Sequence, residues 1–304
     1  MIPSKACTWL SDVVWPSATQ ESDESKNAAK LELDNPQAQS PRANRQYHEA
    51  RSSPLLHDPY VGLPVIGTGM TGMLLQMGED RAVKTAKQYQ LGRPQDREDM
   101  EYMNEVNQQI LQNEILAFER LGSYKGLIPC FRTSQYGIEL ALAQGDLESY
   151  LETYPEPEDS LKIAWILSLI ETFSYVHSRK IFVDDIALRN ILILDKQLKL
   201  SDFGQSILLP LDIDISSANE NDLNVQIEIL HLGWILYSIS SWHVHKYYFF
   251  RPENPDLCWP EPDSFPNVDD VLCGRIIKKC WRGEYASMNH VKDEADQFFT
   301  ATKS

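Results

Sequence analysis

Three side chains able to hold a hard cation lie in one stretch, residues 183 to 204: Asp185, Asn190 and Asp202. Asn190 stands five places after Asp185 and opens onto an apolar run, Ile191 to Leu194. A polar turn at Asp195 and Lys196 follows, then a second alternation through Leu198 and Leu200 that ends at Asp202-Phe203-Gly204. The pattern predicts two short strands joined by a tight turn, with both carboxylates and the amide gathered at the hairpin mouth. Oxygen donors of this kind suit Mg²⁺, which is at home beside phosphates.

A second set of residues could receive those phosphates. Gly67-Thr68-Gly69-Met70-Thr71-Gly72 lies between two predicted strands, Leu63 to Ile66 and Met73 to Met77. Glycines let the backbone come close to an anion and offer it N–H groups, although a flexible hairpin would carry the same spacing. A dinucleotide-binding fold requires a helix directly after the glycines, and here a strand follows. The chain then turns at Gly78-Glu79-Asp80 into Arg81 to Ala86, a strand that carries Lys84. From about Asp96 to Leu121 the apolar residues Met100, Met103, Ile110, Ala117, Phe118 and Leu121 fall on one helical face. Glu114 shares that stripe. A buried lone carboxylate is costly, so Glu114 either finds a cation, for which Lys84 is available, or turns to solvent like Glu101, Glu105 and Glu119.

The elements that must position these groups follow in order. Ile128 to Phe131 and Tyr136 to Leu142 complete a small sheet, Ala141 to Ala143 form a connection, and Gly145-Asp146-Leu147 opens a short helix. Leu161 to Ser178 is an amphipathic helix that delivers the chain to Asp185. Ser206 to Asn224 lacks periodicity, Val225 to Ile239 is a strongly apolar helix containing Glu228, and Pro252 to Pro266 is a Pro-rich connection. Residues 1 to 57 are rich in Ser, Asn, Gln, Pro and charge and are expected to be a disordered tail, with Trp9 to Trp15 its apolar exception.

Composition narrows the function classes. At 304 residues the chain can bury a substantial core, and 42% hydrophobic with 24% charged residues is ordinary for a globular protein. A net charge of −16 argues against binding nucleic acid backbones. Cys7, Cys130, Cys258, Cys273 and Cys280 are odd in number and form no Cys-x-x-Cys pair, which points to a reduced compartment rather than disulfides or zinc. His243 and His245 could share a metal, but no third ligand is evident. Asp12 interrupts the apolar residues near the N-terminus, and no later run is long enough to cross a bilayer. The expectation is a protein of the cytoplasm, with the nucleus also open and no membrane partner.

Asp185-x-x-x-x-Asn190 followed by Asp202-Phe203-Gly204 resembles the catalytic and metal-binding loops of the eukaryotic protein kinases. The order strand, glycine loop, strand, turn and Ala82-Val83-Lys84 is similar to theirs, and so is the late Cys280-Trp281 pair. The resemblance spans about residues 60 to 295 and looks nearest to small kinase-like proteins of filamentous fungi. It implies an α+β, two-lobed fold: a small antiparallel sheet plus helix over about 58 to 142, and a mainly helical lobe over about 143 to 304. It further implies ATP and Mg²⁺ as cofactors and a protein Ser or Thr hydroxyl as acceptor. Gly67, Gly69 and Gly72 would cover the phosphates, Leu74 and Ala82 would roof the base, and Lys84 paired with Glu114 would anchor the nucleotide. Asp202 and Asn190 would hold metal, and Asp185 would take or orient the acceptor's proton. Arg189, as in the Asp-x-Ala-x-Arg-Asn loop of tyrosine kinases, would place charge near the γ-phosphate or form a salt bridge within the loop.

The chain departs from the family before Asp185, where His-Arg is usual and Val183-Asp184 stands. An Arg there orders a phosphorylated activation segment; an Asp would repel the phosphate. No Ala-Pro-Glu is recognisable after Gly204. These losses keep two alternatives in view: a pseudokinase that binds nucleotide or a partner without turnover, and a small-molecule phosphotransferase. The absent Lys two places after Asp185 also leaves tyrosine open as an acceptor.

Overall fold

The computed structural model describes residues 58–90 and 97–301. The expected tail and its Trp9 to Trp15 segment lie outside them. Three strands come first: β1 (Val65–Thr68), β2 (Gly72–Gln76) and β3 (Arg81–Ala86). Helix α1 (Arg97–Leu121) follows, then β4 (Cys130–Ser134) and β5 (Gly137–Ala141). These five strands form one antiparallel sheet in the order β1-β2-β3-β5-β4, with Lys84 of β3 opposite Leu74 in β2 and Ile138 in β5. Tyr60 closes the outer face of this sheet over Leu75 and Val83, and its hydroxyl donates to Glu139 at 2.9 Å.

Past β5 the chain crosses at 142–144 to a short strand β6 (Gly145–Asp146) and helix α2 (Leu147–Thr153). Asp146 caps α2 by accepting from the Ser149 N–H at 2.9 Å, satisfying a donor that a helix start leaves open. Helix α3 (Asp159–Ser178) leads to β7 (Ile181–Phe182), and the predicted hairpin forms from β8 (Ile191–Leu194) and β9 (Gln197–Leu200). Its two turn residues, Asp195 and Lys196, both have positive φ, the geometry that matches the twist of paired strands.

The stretch without periodicity is tied down piecemeal: β10 (Ile207–Leu208) pairs with β7, and β11 (Asn219–Glu220) pairs with β12 (Leu223–Asn224). Helix α4 (Val225–Ser241) starts at an Asn224 cap and runs through the larger lobe between α3 and α5 (Gly274–Trp281), with α6 (Met288–Ala301) packed against α3. Thirteen of its residues are buried, which explains why its sequence is apolar all round rather than striped. Small sheet plus α1 on one side and a mainly helical body on the other make the two-lobed α+β fold of a protein kinase. Among the described residues no helix is long and apolar enough to cross a membrane.

Candidate active site

Lys84 is where the elements meet. Strand β3 carries it into the interior, and its Nζ lies 2.7 Å from Glu114 Oε2 of α1 and 2.9 Å from Asp202 Oδ1. Burial disfavours the charged amine, but Asp202 and Glu114 together outweigh it, so the ammonium is held well above its usual range. Burial pushes Glu114 upward and the Lys84 charge pulls it back. Glu114 is 1% exposed and also accepts the Phe203 N–H at 3.3 Å. The helical stripe thus has its cation, and Glu101, Glu105 and Glu119 are exposed as expected.

Asp202 sits in the left-handed region, φ 59°, an uncommon setting for a residue with a side chain. Its neighbours hold it there. Phe203 is fully buried, edge-on to Phe118 with ring centroids 5.2 Å apart, and Val183 lies in the same core. A Cβ on Gly204 would come within 2.7 Å of Ile110 Cγ2, so only glycine permits α1 to approach this turn. Asn113 secures the turn from α1, its amide donating to the carbonyls of Gly204 and Ser206 at 3.0 and 2.8 Å.

Asp185 is gripped from one side. Arg189 Nη2 lies 2.8 Å from each of its carboxylate oxygens, and Asn190 Nδ2 donates to Oδ2 at 2.8 Å and to the Asp185 carbonyl at 3.0 Å. Arg189 therefore forms the salt bridge within the loop. Ser201 donates through both its N–H and its hydroxyl to the Asn190 backbone carbonyl, joining the end of β9 to the Asp185–Asn190 loop. Because Nδ2 of Asn190 is turned to Asp185, its side-chain oxygen Oδ1 is left to accept or to ligate. Asp202 Oδ2 takes no hydrogen bond among the described residues. One amide oxygen and one carboxylate oxygen are hard donors that fit Mg²⁺.

From below, α4 fixes the loop through Glu228, which is fully buried. Its Oε1 accepts the Val183 N–H at 2.5 Å, and its Oε2 lies 2.7 Å from His177 Nε2 of α3. Beside this network Asp184 is half-buried. Burial, the Asp185 charge and the Glu228 charge push its carboxyl up to about 7. Among the described residues nothing basic answers it.

The glycine turn closes with the Gly69 N–H donating to the Gly72 carbonyl at 2.9 Å, and Lys87 Nζ reaches the Gly69 carbonyl at 3.3 Å. Gly67 is paired with Leu74 in the β1–β2 ladder. Leu74 and Ala82 are both fully buried in the main core on adjacent strands. The His243 and His245 rings lie edge-on with centroids 5.0 Å apart, and no set of three His, Cys, Asp or Glu side chains is near enough to hold a metal among the described residues.

Reading the sequence missed Asn113, His177 and Ser201, which place the functional groups without belonging to a motif. A signal existed for one similar residue, Asn107. It lies seven places before Glu114 on the same apolar stripe, is fully buried, and donates to the Lys87 carbonyl at 2.8 Å.

This fold, with Lys84, Glu114 and Asp202 joined and Asp185 beside Asn190, is that of the protein kinases, and the chain belongs to that family: the protein kinase domain matches residues 60–219. Among curated proteins it is similar to a dual serine/threonine and tyrosine protein kinase of Apis mellifera, 25% identical over 145 residues, which is 40% of this chain and 15% of that relative. It is also similar to a protein of Acanthamoeba polyphaga mimivirus described as a serine/threonine-protein kinase, 40% identical over 74 residues, 24% of this chain and 13% of the relative. The matched stretches thus span a small part of either relative's length.

Proposed function

We propose that this chain transfers the γ-phosphoryl group of ATP to a hydroxyl of a protein substrate, with Ser and Thr the expected acceptors. The observation that carries this reading is the joining of Lys84 to both Glu114 and Asp202. A structural ion pair needs one carboxylate; a lysine shared by two, one of them on a strained turn, is poised to exchange a partner for a phosphate oxygen.

In this reading Lys84, held by Glu114, orients the α- and β-phosphates under the Gly67-Gly69-Gly72 turn, with Leu74 and Ala82 above the base. Asp202 and the Asn190 side-chain oxygen would hold Mg²⁺, which would supply charge neutralisation at the phosphates. Asp185 accepts the acceptor's proton as the hydroxyl oxygen bonds to phosphorus and the bond to the β–γ bridging oxygen breaks, leaving ADP. Arg189 sets the direction of the Asp185 carboxylate. The boundary between lobes falls at 142–143, and the cytoplasm is the proposed setting.

A pseudokinase is the second reading, and a specific observation favours it: both Asp185 oxygens are already engaged by Arg189 and Asn190. Labelled ATP with Mg²⁺ and generic protein acceptors separates the two, run beside Lys84→Met and Asp185→Ala. Transfer that both substitutions abolish supports the enzyme. Nucleotide binding without transfer in the wild type would overturn it and leave the pseudokinase.

A further inference from the structure

A cavity of about 350 Å³ opens beside the catalytic loop, and Asp185 forms part of its wall. That is the lower end of the size range of ligand pockets. Its other sides come from α4 and from the segment after it, residues 245–253. Rings dominate its lining. Trp234 lies parallel to Tyr247 with centroids 5.2 Å apart, and His231 lies parallel to Tyr248 at 5.8 Å. Burial lowers His231 to about 4 and its Nε2 accepts the Phe249 N–H at 3.0 Å, so at neutral pH this ring is uncharged. Leu188 and Ile235 complete the apolar floor.

The charges that touch this cavity cancel. Lys246 Nζ sits 2.5 Å from Glu148, Arg189 is engaged by Asp185, and Arg251, which lies 5.4 Å from the Tyr247 ring centroid, is matched in number by Glu253. Selection by net charge is therefore weak, and selection by shape and apolar surface is what the site offers. An aromatic side chain suits it best, because offset and edge-on ring contacts add to the burial of apolar area.

We propose that this cavity is a specificity pocket that seats an aromatic side chain of the protein substrate close to the hydroxyl being phosphorylated. The inference rests on the kinase reading for its acceptor. The occupant is argued from continuity: a peptide whose hydroxyl reaches Asp185 is already at the cavity wall, and its next residues must either enter the ring-lined space or leave it wet. One buried aromatic anchor is how a short, otherwise neutral contact gains most of its affinity.

The test is a binding measurement that does not require turnover. Fluorescein-labelled peptides carrying one Ser in an Ala and Gly background, with Phe placed in turn at each of the three positions before and after it, are titrated by fluorescence polarisation. The full chain is used with Mg²⁺ and a non-hydrolysable ATP analogue. We expect one position at which Phe tightens binding about tenfold or more over Ala, the order of effect that burying part of a ring gives. Pro252→Trp, at an exposed rim position, should block the cavity without disturbing the core and remove that gain. Tyr248→Ala should reduce it by removing one ring from the lining. No positional preference, or a preference that survives Pro252→Trp, would overturn the proposal. Binding of a Tyr peptide with loss of binding for every Ser-Phe peptide would also overturn it, since the cavity would then hold the acceptor ring itself. Retained, cavity-dependent binding with no phosphoryl transfer from ATP would sustain the pocket while removing the enzyme reading, so the two failures are distinct.

Discussion

Replacing Asp184 by Asn should stabilise this protein, and by an amount that depends on pH. The Asp184 carboxyl has moved from 3.8 to about 7, through burial first and the Asp185 and Glu228 charges after it. An acid raised in the folded state binds its proton there while the unfolded chain has already released it, so stability falls as pH climbs from about 4 to about 7 and then levels off. A displacement of roughly three pH units corresponds to about 4 kcal/mol as a ceiling. Residual solvation of a half-buried side chain reduces this to about 1–3 kcal/mol. Asparagine keeps the shape and cannot ionise. Thermal unfolding of both proteins from pH 4 to pH 9 should show the variant gaining steadily on the wild type up to pH 7 and keeping a lead of about 3–8 °C above it. A constant gap across pH, or a variant less stable at pH 8, would refute the reasoning, because it would mean that the ionised carboxylate is held by a cation.

Other consequences can be checked with the same protein. Asp185→Ala should lower phosphoryl transfer by about 10²–10⁴-fold, the usual contribution of a positioned proton acceptor, with nucleotide binding retained in an equilibrium titration. Glu228→Ala leaves His177 and the Val183 N–H without their acceptor in the interior and should cost about 3–5 kcal/mol in denaturant unfolding. Gly204→Ala forces a methyl against Ile110 and should cost about 1–3 kcal/mol by the same measurement. Changing Ser206, Ser216 and Ser217 together to Ala should leave the transfer rate intact. Ser206 is buried and Asp184 offers no anchor for a phosphate, so a large loss would contradict a segment that works without modification.

Much of this architecture was legible because its signals are local. Period-two alternation around Asp195-Lys196 depends on neighbours in the chain, and the hairpin forms where the pattern puts it. The glycines also lie between two paired strands, but β1 begins two residues later than expected and takes Gly67 and Thr68 into its ladder. Glu114 was legible through a conflict: a carboxylate on an apolar stripe needs a cation, and Lys84 is that cation. The segment after Gly204 was not legible. Its order comes from distant partners, β10 on β7 and Arg120 donating to the Leu209 carbonyl, and such pairings leave no period in the sequence. His177 was hidden for the same reason. On its own helix it reads as one polar residue near the end, and only the fold brings Glu228 beneath it.

The sharing of Lys84 bears on how its loss is interpreted. Methionine at this position is the natural inactive control, yet the ammonium is also a fastener between sheet, helix α1 and the Asp202 turn. Without it, Glu114 and Asp202 are left as two carboxylates around an apolar thioether, and one of them must take up a proton or swing away. The control therefore loosens the tie between sheet, helix α1 and the Asp202 turn as well as removing the proposed nucleotide contact. A protein that melts early is not the same as one that merely fails to turn over, and a melting curve of Lys84→Met belongs beside every assay that uses it.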